Sequence, residues 1–258
     1  MSARARSALL VLAFIVLAPA VASVIRAMPP LGQPLSRYGP TVNALAPGLR
    51  NVSNMVAAVN FDIRGIDTLG EECMLLCAVT GAVMLLRGRR GEDMSERAGR
   101  VPGRAIVRRS DATVLVCRFA AIALLLFGVY MVLHGTVTPG GGFQGGVIAA
   151  SSLLLLYLGE GYAPWRRLVR GPVLVVLEAG GALAFVLCAA VPLIDGHAAL
   201  QNLLPLGRWK DLYSGGLMVL VNYSVACAVA GGFGMLLLEF MEETRAPEND
   251  PEPDEEDV

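Results

Sequence analysis

The sequence predicts an all-α, polytopic membrane protein of six transmembrane helices, with a glycine-rich break before the fourth. Three observations carry this. Apolar residues make up 55% of the 258, and charged residues only 17%, against roughly 25% in an average soluble domain, too few to cover a water-facing surface. The mean hydropathy is +0.58. The apolar residues also gather into runs close to the ~20 residues that cross a hydrocarbon core of ~30 Å. Such a composition excludes a nucleic-acid binder, a disordered regulator and a disulfide scaffold, and makes the lipid bilayer the expected surroundings.

The first span is expected at residues 7–25. Its basic start, apolar stretch and Ala20-Val21-Ala22 before Ser23 equally read as a signal peptide, whose removal would leave five spans. Pro19 should bend or end that helix. Residues 26–53 hold Pro29, Pro30, Pro34, Pro40 and Pro47 and read as an extended outer connection with little packed core. The second span is expected at 68–86, the third at 112–133 and the fifth at 172–194. The sixth, 212–238, carries no charge. The fourth apolar run, 145–158, is too short alone and reaches membrane length only if it starts near Gly140 and ends near Gly159.

Charge sets the orientation. Twenty of the 21 basic residues are Arg, the exception being Lys210. Arg4, Arg6, the eight Arg of residues 87–110, Arg166, Arg167, Arg170 and Arg245 would share one side, fourteen in all. Only Arg26, Arg37, Arg50, Arg64, Arg208 and Lys210 would occupy the other. The positive-inside rule then places both termini in the cytoplasm. Residues 242–258 hold nine acids and one Arg, a composition expected to be disordered and solvated. The five cysteines, Cys73, Cys77, Cys117, Cys188 and Cys227, lie in apolar runs without zinc-like spacing, and read as small hydrophobes. No metal site and no cofactor is expected.

Ionisable groups are expensive within a span, at ~2.5–3.5 kcal/mol near a helix centre, so each is a candidate for function. In the stretch 60–72, Glu71 and Glu72 fall inside the second span, with Asp67 at its start. Neighbouring carboxylates can pass protons or cations. Equally, Thr68 and Glu71 have the spacing of a capping box, which would explain Glu71 without transport. Asp62 and Arg64 are expected to pair. His134 closes the third helix as an anchor or a proton shuttle. Arg118 and Glu178 each lie six residues past one end of a span, about 9 Å deep. Equal depth and opposite sign make them an expected structural ion pair, with a proton-path role as the alternative for Glu178. Glu160 reads as interfacial. Asn222 and Ser224 are expected to bond across helices.

The break itself runs His134-Gly135-Thr136-Val137-Thr138-Pro139-Gly140-Gly141-Gly142-Phe143-Gln144-Gly145-Gly146. Gly140-x-Gly142-x-x-Gly145 is formally a dinucleotide fingerprint, but no strand precedes it and spans flank it. Irregular backbone at membrane depth survives only when buried in protein or lining a wet cavity, as in the broken helices of transporters. Close helix packing through Gly142 and Gly146 is the other reading. Gly159, near the membrane surface, should have more room.

The segment GTVTPGGGFQGGVIAAS (135–151), preceded by His134, resembles the signature of the B subunit of Mrp-type multisubunit cation/proton antiporters, the MnhB family. The resemblance covers about residues 108–240. Ser214-Gly215-Gly216 and Asn222 fall where that family has a small-residue turn and an Asn. The usual Pro between them is absent, with Met218 nearby. FDIRGIDTLGE (61–71) is similar to a motif at the C-terminal end of the large Mrp A protein, which also stands alone as the E subunit of membrane-bound hydrogenases. Asp62, Arg64, Asp67 and Glu71 match that motif, while Ile63 and Ile66 replace its aromatic residues.

The resemblance implies a fusion: an A/E-like module at 1–90, a basic linker at 91–111, a MnhB-like module at 112–240 and an acidic tail at 241–258. It implies a non-enzymatic accessory subunit in a hetero-oligomeric antiporter exchanging Na+ for H+, with Glu71 near the ion path and the glycine break lining it. A membrane subunit of an ion-pumping redox complex is the alternative. The chain has no haem motif or iron–sulfur cysteine cluster, so redox chemistry would lie in partners. A purely structural role in assembly is the third reading.

Overall fold

The computed structural model describes residues 3–28, 37–93 and 110–243. The acidic tail beyond 243, most of the basic linker, and Pro29, Pro30 and Pro34 lie outside the described residues. The chain divides into two compact units, residues 1–42 and 43–258.

The first unit contains α1 (Ala3–Ala27), which continues through Pro19 rather than ending there. One turn later Ser23 Oγ donates to Ala20 O at 2.7 Å. Residues 38–50, expected to be extended, instead form α2 (Tyr38–Arg50), whose residues from Asn43 on are counted in the second unit. Pro40 falls in its first turn, where a missing N–H costs nothing, which is why the proline count misled.

The second unit is a helix bundle. Asn54 caps α3 (Met55–Ala58), its side chain accepting from Val56 N and Ala57 N. A π-helical turn over 59–63 joins α3 to α4 (Gly65–Asp93). Ser110 caps α5 (Asp111–Leu133), accepting from Thr113 N at 3.2 Å. Then come α6 (Gly142–Glu160), the short α7 (Tyr162–Leu168), α8 (Gly171–Ile194) with Pro172 in its first turn, and α9 (Leu217–Glu243). No strand occurs among the described residues.

Five of these helices are long and apolar enough to cross a membrane: 65–87, 111–133, 142–160, 171–194 and 217–242. Residues 15–27, which overlap the first predicted span at 15–25, form a shorter apolar helix. The sixth predicted span starts later than expected because glycines at positive φ (Gly207, Gly215 and Gly216, at 67°, 98° and 61°) turn the chain ahead of it. Asn202 ties that turn to α9, accepting from Leu217 N at 2.9 Å and donating to Gly215 O at 2.8 Å.

α9 is the centre of the unit, the most buried of the five long apolar helices, whereas α5 is the least. A helix apolar on every face belongs in the interior, which is where its charge-free stretch is used. Small residues set the spacing. A Cβ on Gly128 of α5 would lie 2.8 Å from Gly145 O of α6, and one on Gly146 would lie 2.9 Å from Ala226 O of α9. A Cβ on Gly181 of α8 would lie 2.6 Å from Ser224 O of α9. At the end carrying α7, Val79, Val83, Trp165, Val169, Leu174, Met235 and Leu238 form an apolar cluster. Trp165 Nε1 donates to Leu153 O at 2.8 Å.

Candidate functional site

The glycine break is held by two asparagines, Asn222 of α9 and Asn54 ahead of α3. α5 ends at His134, whose ring stacks on Tyr130 with centroids 4.0 Å apart and brings Nδ1 within 3.0 Å of Tyr130 O. The chain then turns past Pro139. Gly140 and Gly141 adopt φ of 137° and 149°, values that strain any L side chain. α6 begins at Gly142, and its leading N–H is capped from another helix: Asn222 Oδ1 of α9 accepts from Gly142 N at 2.6 Å. The same amide donates through Nδ2 to Val132 O at 2.8 Å. One side chain therefore closes α5 and opens α6 across the interface, the cross-helix bonding expected of Asn222. Ser224 instead bonds within its own helix, donating to Leu220 O.

Asn54, 5% exposed, reads the loop backbone. Its Nδ2 lies 2.7, 2.9 and 3.1 Å from Gly135 O, Thr138 O and Gly140 O. Its own N–H donates to Thr136 O at 3.2 Å, and Ser53 Oγ donates to Val137 O at 2.5 Å. Sequence reasoning missed Asn54. An Asn directly before an apolar Met-Val-Ala-Ala run is an N-cap signal, but nothing in the sequence marks the loop carbonyls it reaches.

Beside the break lies a cavity of about 190 Å³, lined by Val56, Ala57, Asn60, Phe61, Thr68, Glu71, Gly140, Phe143, Gln144 and Val225. It brings Glu71 together with Gly140 and Phe143 of the break, and adds Asn60, Thr68 and Gln144, which the sequence did not single out as a site. Gly141, Gly142, Gly145 and Gly146 are buried. Gly142 and Gly146 face α9, while Gly145 faces α5.

The capping box at Thr68 is not formed. The helix starts at Gly65, and Thr68 Oγ1 donates to Asn60 O at 2.7 Å, a carbonyl of the π turn. π turns free backbone groups in this way. Glu71 and Glu72 diverge as neighbours on a helix must, about 100° apart. Glu71 is exposed toward the cavity, whereas Glu72 is 4% exposed on the buried stripe of Thr68, Val79 and Val83. Asp67 lies exposed beside Arg64 and pairs with it. The expected Asp62–Arg64 pair is replaced, because Asp62 meets Arg50 of α2 at 2.5 Å.

Two further expectations are corrected. Arg118 pairs with Glu160 of α6, not with Glu178. α5 packs on α6 and α8 packs on α9, so equal depth did not put Arg118 and Glu178 on one interface. Gly159 is not in open space: a Cβ there would meet Cys117 Cβ at 2.7 Å. Glu178 is buried on α8, against α9 and α4. At the α7 end, Arg87 donates to Glu239 Oε1 at 2.9 and 2.7 Å, and Arg166 to Glu242 Oε1 at 2.7 Å. No group of three or more His, Cys, Asp or Glu able to hold a metal occurs among the described residues.

Residues 112–235 match the family described as a domain related to the MnhB subunit of Na+/H+ antiporter. In Rhizobium meliloti, a probable K+/H+ antiporter protein of the combined A/B type is 26% identical over 220 residues, covering 76% of this chain but 21% of its own length. In a Mrp complex from a Dietzia species, one chain is similar with a TM-score of 0.67 and 22% identity, over 98% of this chain and 27% of that one. A chain of the membrane-bound sulfane sulfur reductase, an archaeal respiratory membrane complex, has a TM-score of 0.67 and 24% identity, over 92% of this chain and 98% of that one. These two structures share the fold. The glycine break, the α6 start and the Asn222 cap all fall inside the matched stretch, and the chain is a multi-pass membrane protein whose residues 112–235 are similar to the MnhB-related domain.

Proposed function

We propose that this chain is an accessory membrane subunit of a multisubunit Na+/H+ antiporter, and that the cavity at the glycine break lies on its ion path. The observation that carries the reading is the meeting, in one cavity, of the Glu71 carboxylate with the turn that starts α6. Carboxylate, amide and hydroxyl oxygens are the donors that hard cations take. The work is transport, not catalysis, and needs no cofactor of the chain's own. Its partners are the other antiporter subunits, with Na+ and H+ as the transported ions. On this reading residues 1–90 form the module resembling the end of Mrp A, a linker follows to 111, and 112–240 form the MnhB-like module. The similarity to a combined A/B protein over 220 residues supports such a fusion. Arginine distribution supports both termini in the cytoplasm.

Glu71→Gln keeps the side chain's shape and removes its charge. In everted vesicles from cells carrying the whole complex, this variant should lose Na+-dependent proton efflux while the complex still assembles. Exchange at the unaltered rate in the variant removes Glu71 from the path. Loss of the protein from the membrane would point to a structural role instead.

A second reading, a membrane subunit of an ion-pumping redox complex, is favoured by the near end-to-end match to the reductase chain. Purification of the complex with identification of its partners separates the two. Iron–sulfur or hydrogenase-like partners favour the second, and a full set of antiporter subunits favours the first.

A further inference from the structure

Glu178 lies outside the cavity at Glu71. It is 8% exposed, and its Oε1 is buried with no hydrogen-bond partner. α8 and α9 approach so closely here that a Cβ on Gly231 would lie 2.6 Å from Leu174 O and 2.9 Å from Glu178 Cα. Because Gly231 and Gly232 have no side chains, the carboxyl can cross over α9 toward α4. A Cβ on Gly232 would sit 3.2 Å from both Glu178 Oε1 and Val79 Cγ2. The two glycines thus leave a notch that one carboxyl group fills.

We propose that this notch is an occluded proton-binding site, separate from the cation cavity; its place in exchange rests on the antiporter reading above. A cation of the Na+ kind needs several oxygen donors around it. Here Oε1 is buried without a hydrogen-bond partner, and the groups beside it are the glycine backbone of α9 and the methyls of Val79, none of them a further oxygen donor of the kind a metal cation takes. A proton needs a single oxygen. Binding joins it to a carboxylate oxygen to give the carboxylic acid, and release leaves the carboxylate, with no other bond changed. An ionised carboxylate buried without a partner is far costlier than the neutral acid, so the site holds a proton whenever it is closed.

The charged neighbours stand off at both ends. Along α4, Glu72 is seven residues to one side of Val79 and Arg87 eight to the other. On α9, Glu239 is seven residues beyond Gly232. At 1.5 Å per residue, these are about 10–12 Å away along the helix axes. α8 carries no other Asp, Glu, Lys or Arg. Toward Arg87 and Glu239 the route is filled by Val83, Leu174, Met235 and Leu238, so a proton leaves that way only when these helices part.

A lipophilic carbodiimide such as dicyclohexylcarbodiimide reacts with protonated carboxyls in apolar surroundings. In native membranes holding the whole complex, peptide mass spectrometry should find the N-acylurea adduct on Glu178. It should not find it on Glu160 or Glu239, each bonded to an arginine. In everted vesicles Glu178→Gln should assemble and lose exchange, and Glu178→Asp should retain part of it. An unlabelled Glu178 overturns the proposal, as does exchange at the unaltered rate in Glu178→Gln. Should Glu178→Gln fail to assemble, the labelling result decides. If the unmodified complex exchanges no Na+ for H+ while Glu178 is labelled, the antiporter reading fails and the proton site stands.

Discussion

Asn54 does more for the candidate site than its size suggests. With one amide it caps α3 and gathers three carbonyls of a loop more than eighty residues away. Asn54→Ala removes the cap and strands those acceptors, at a cost of about 2–4 kcal/mol if only part is recovered by water. Asn54→Asp should be at least as damaging, although Asp caps helices as well as Asn does, because a carboxylate oxygen would then face the carbonyls. A thermal melt of the detergent-purified complex measures both, and an unchanged Tm for Asn54→Ala would show that the clamp bears no load. At this scale the sequence was partly legible. Glu71 and the glycine break stood out because charge and flexible backbone are rare in apolar runs. Asn54 did not, because its partners are backbone carbonyls that any sequence would supply. Asn222 was legible as a polar residue in an otherwise charge-free span, but its double role at two helix ends depends on where α5 and α6 meet.

Among the helices, contact is set by glycines, and their effects can be told apart in advance. Gly142, Gly146 and Gly231 abut backbone of a neighbouring helix, whereas a Cβ on Gly70, Gly81 or Gly180 would have nothing within 4 Å among the described residues. Alanine at the first three must push α6 or α8 away from α9. At the last three it improves helix propensity by up to ~1 kcal/mol and touches nothing among the described residues. Immunoblots of membranes should show lower abundance for Gly142→Ala, Gly146→Ala and Gly231→Ala and unchanged abundance for the other three. Equal abundance throughout would mean that the helices tolerate wider spacing than this packing implies. Sequence spacing revealed the pair Gly142 and Gly146 because four residues return to one helix face. It misjudged Gly159 and the Arg118–Glu178 pair for one reason. Depth along a helix is written in the sequence, but the partner met at that depth depends on how helices cross.

Over the whole second unit, three arginine–carboxylate bonds (Arg87 to Glu239, Arg118 to Glu160 and Arg166 to Glu242) gather at the end bearing α7. The arginine-rich linker also departs from that end. Interfaces on the cytoplasmic side carry such excess, and the ion pairs let arginine remain there while closing the helix ends. An alkaline phosphatase fused to the C-terminus should therefore be inactive in a bacterial host, and an active fusion would invert the orientation. The fold class and the spans were readable because a bilayer demands long apolar runs. The helix at 38–50 was not, because proline content argues for a break, and here two prolines fit a helix.

The π turn at 59–63 has a consequence for how this protein tolerates insertions and deletions. It winds one more residue into its turn than an α-helix would, and α4 follows directly. If one residue were lost there while the contacts of Asn54 and Phe61 held, α4 would be rotated by about 100°. Glu72 would then occupy the direction of Glu71, and Cys73 would take the buried place of Glu72. A single-residue length change thus exchanges the acid facing the cavity for the acid on the packed stripe. The turn acts as a phase key: its length, more than the identity of any residue within it, decides which carboxylate the cavity sees.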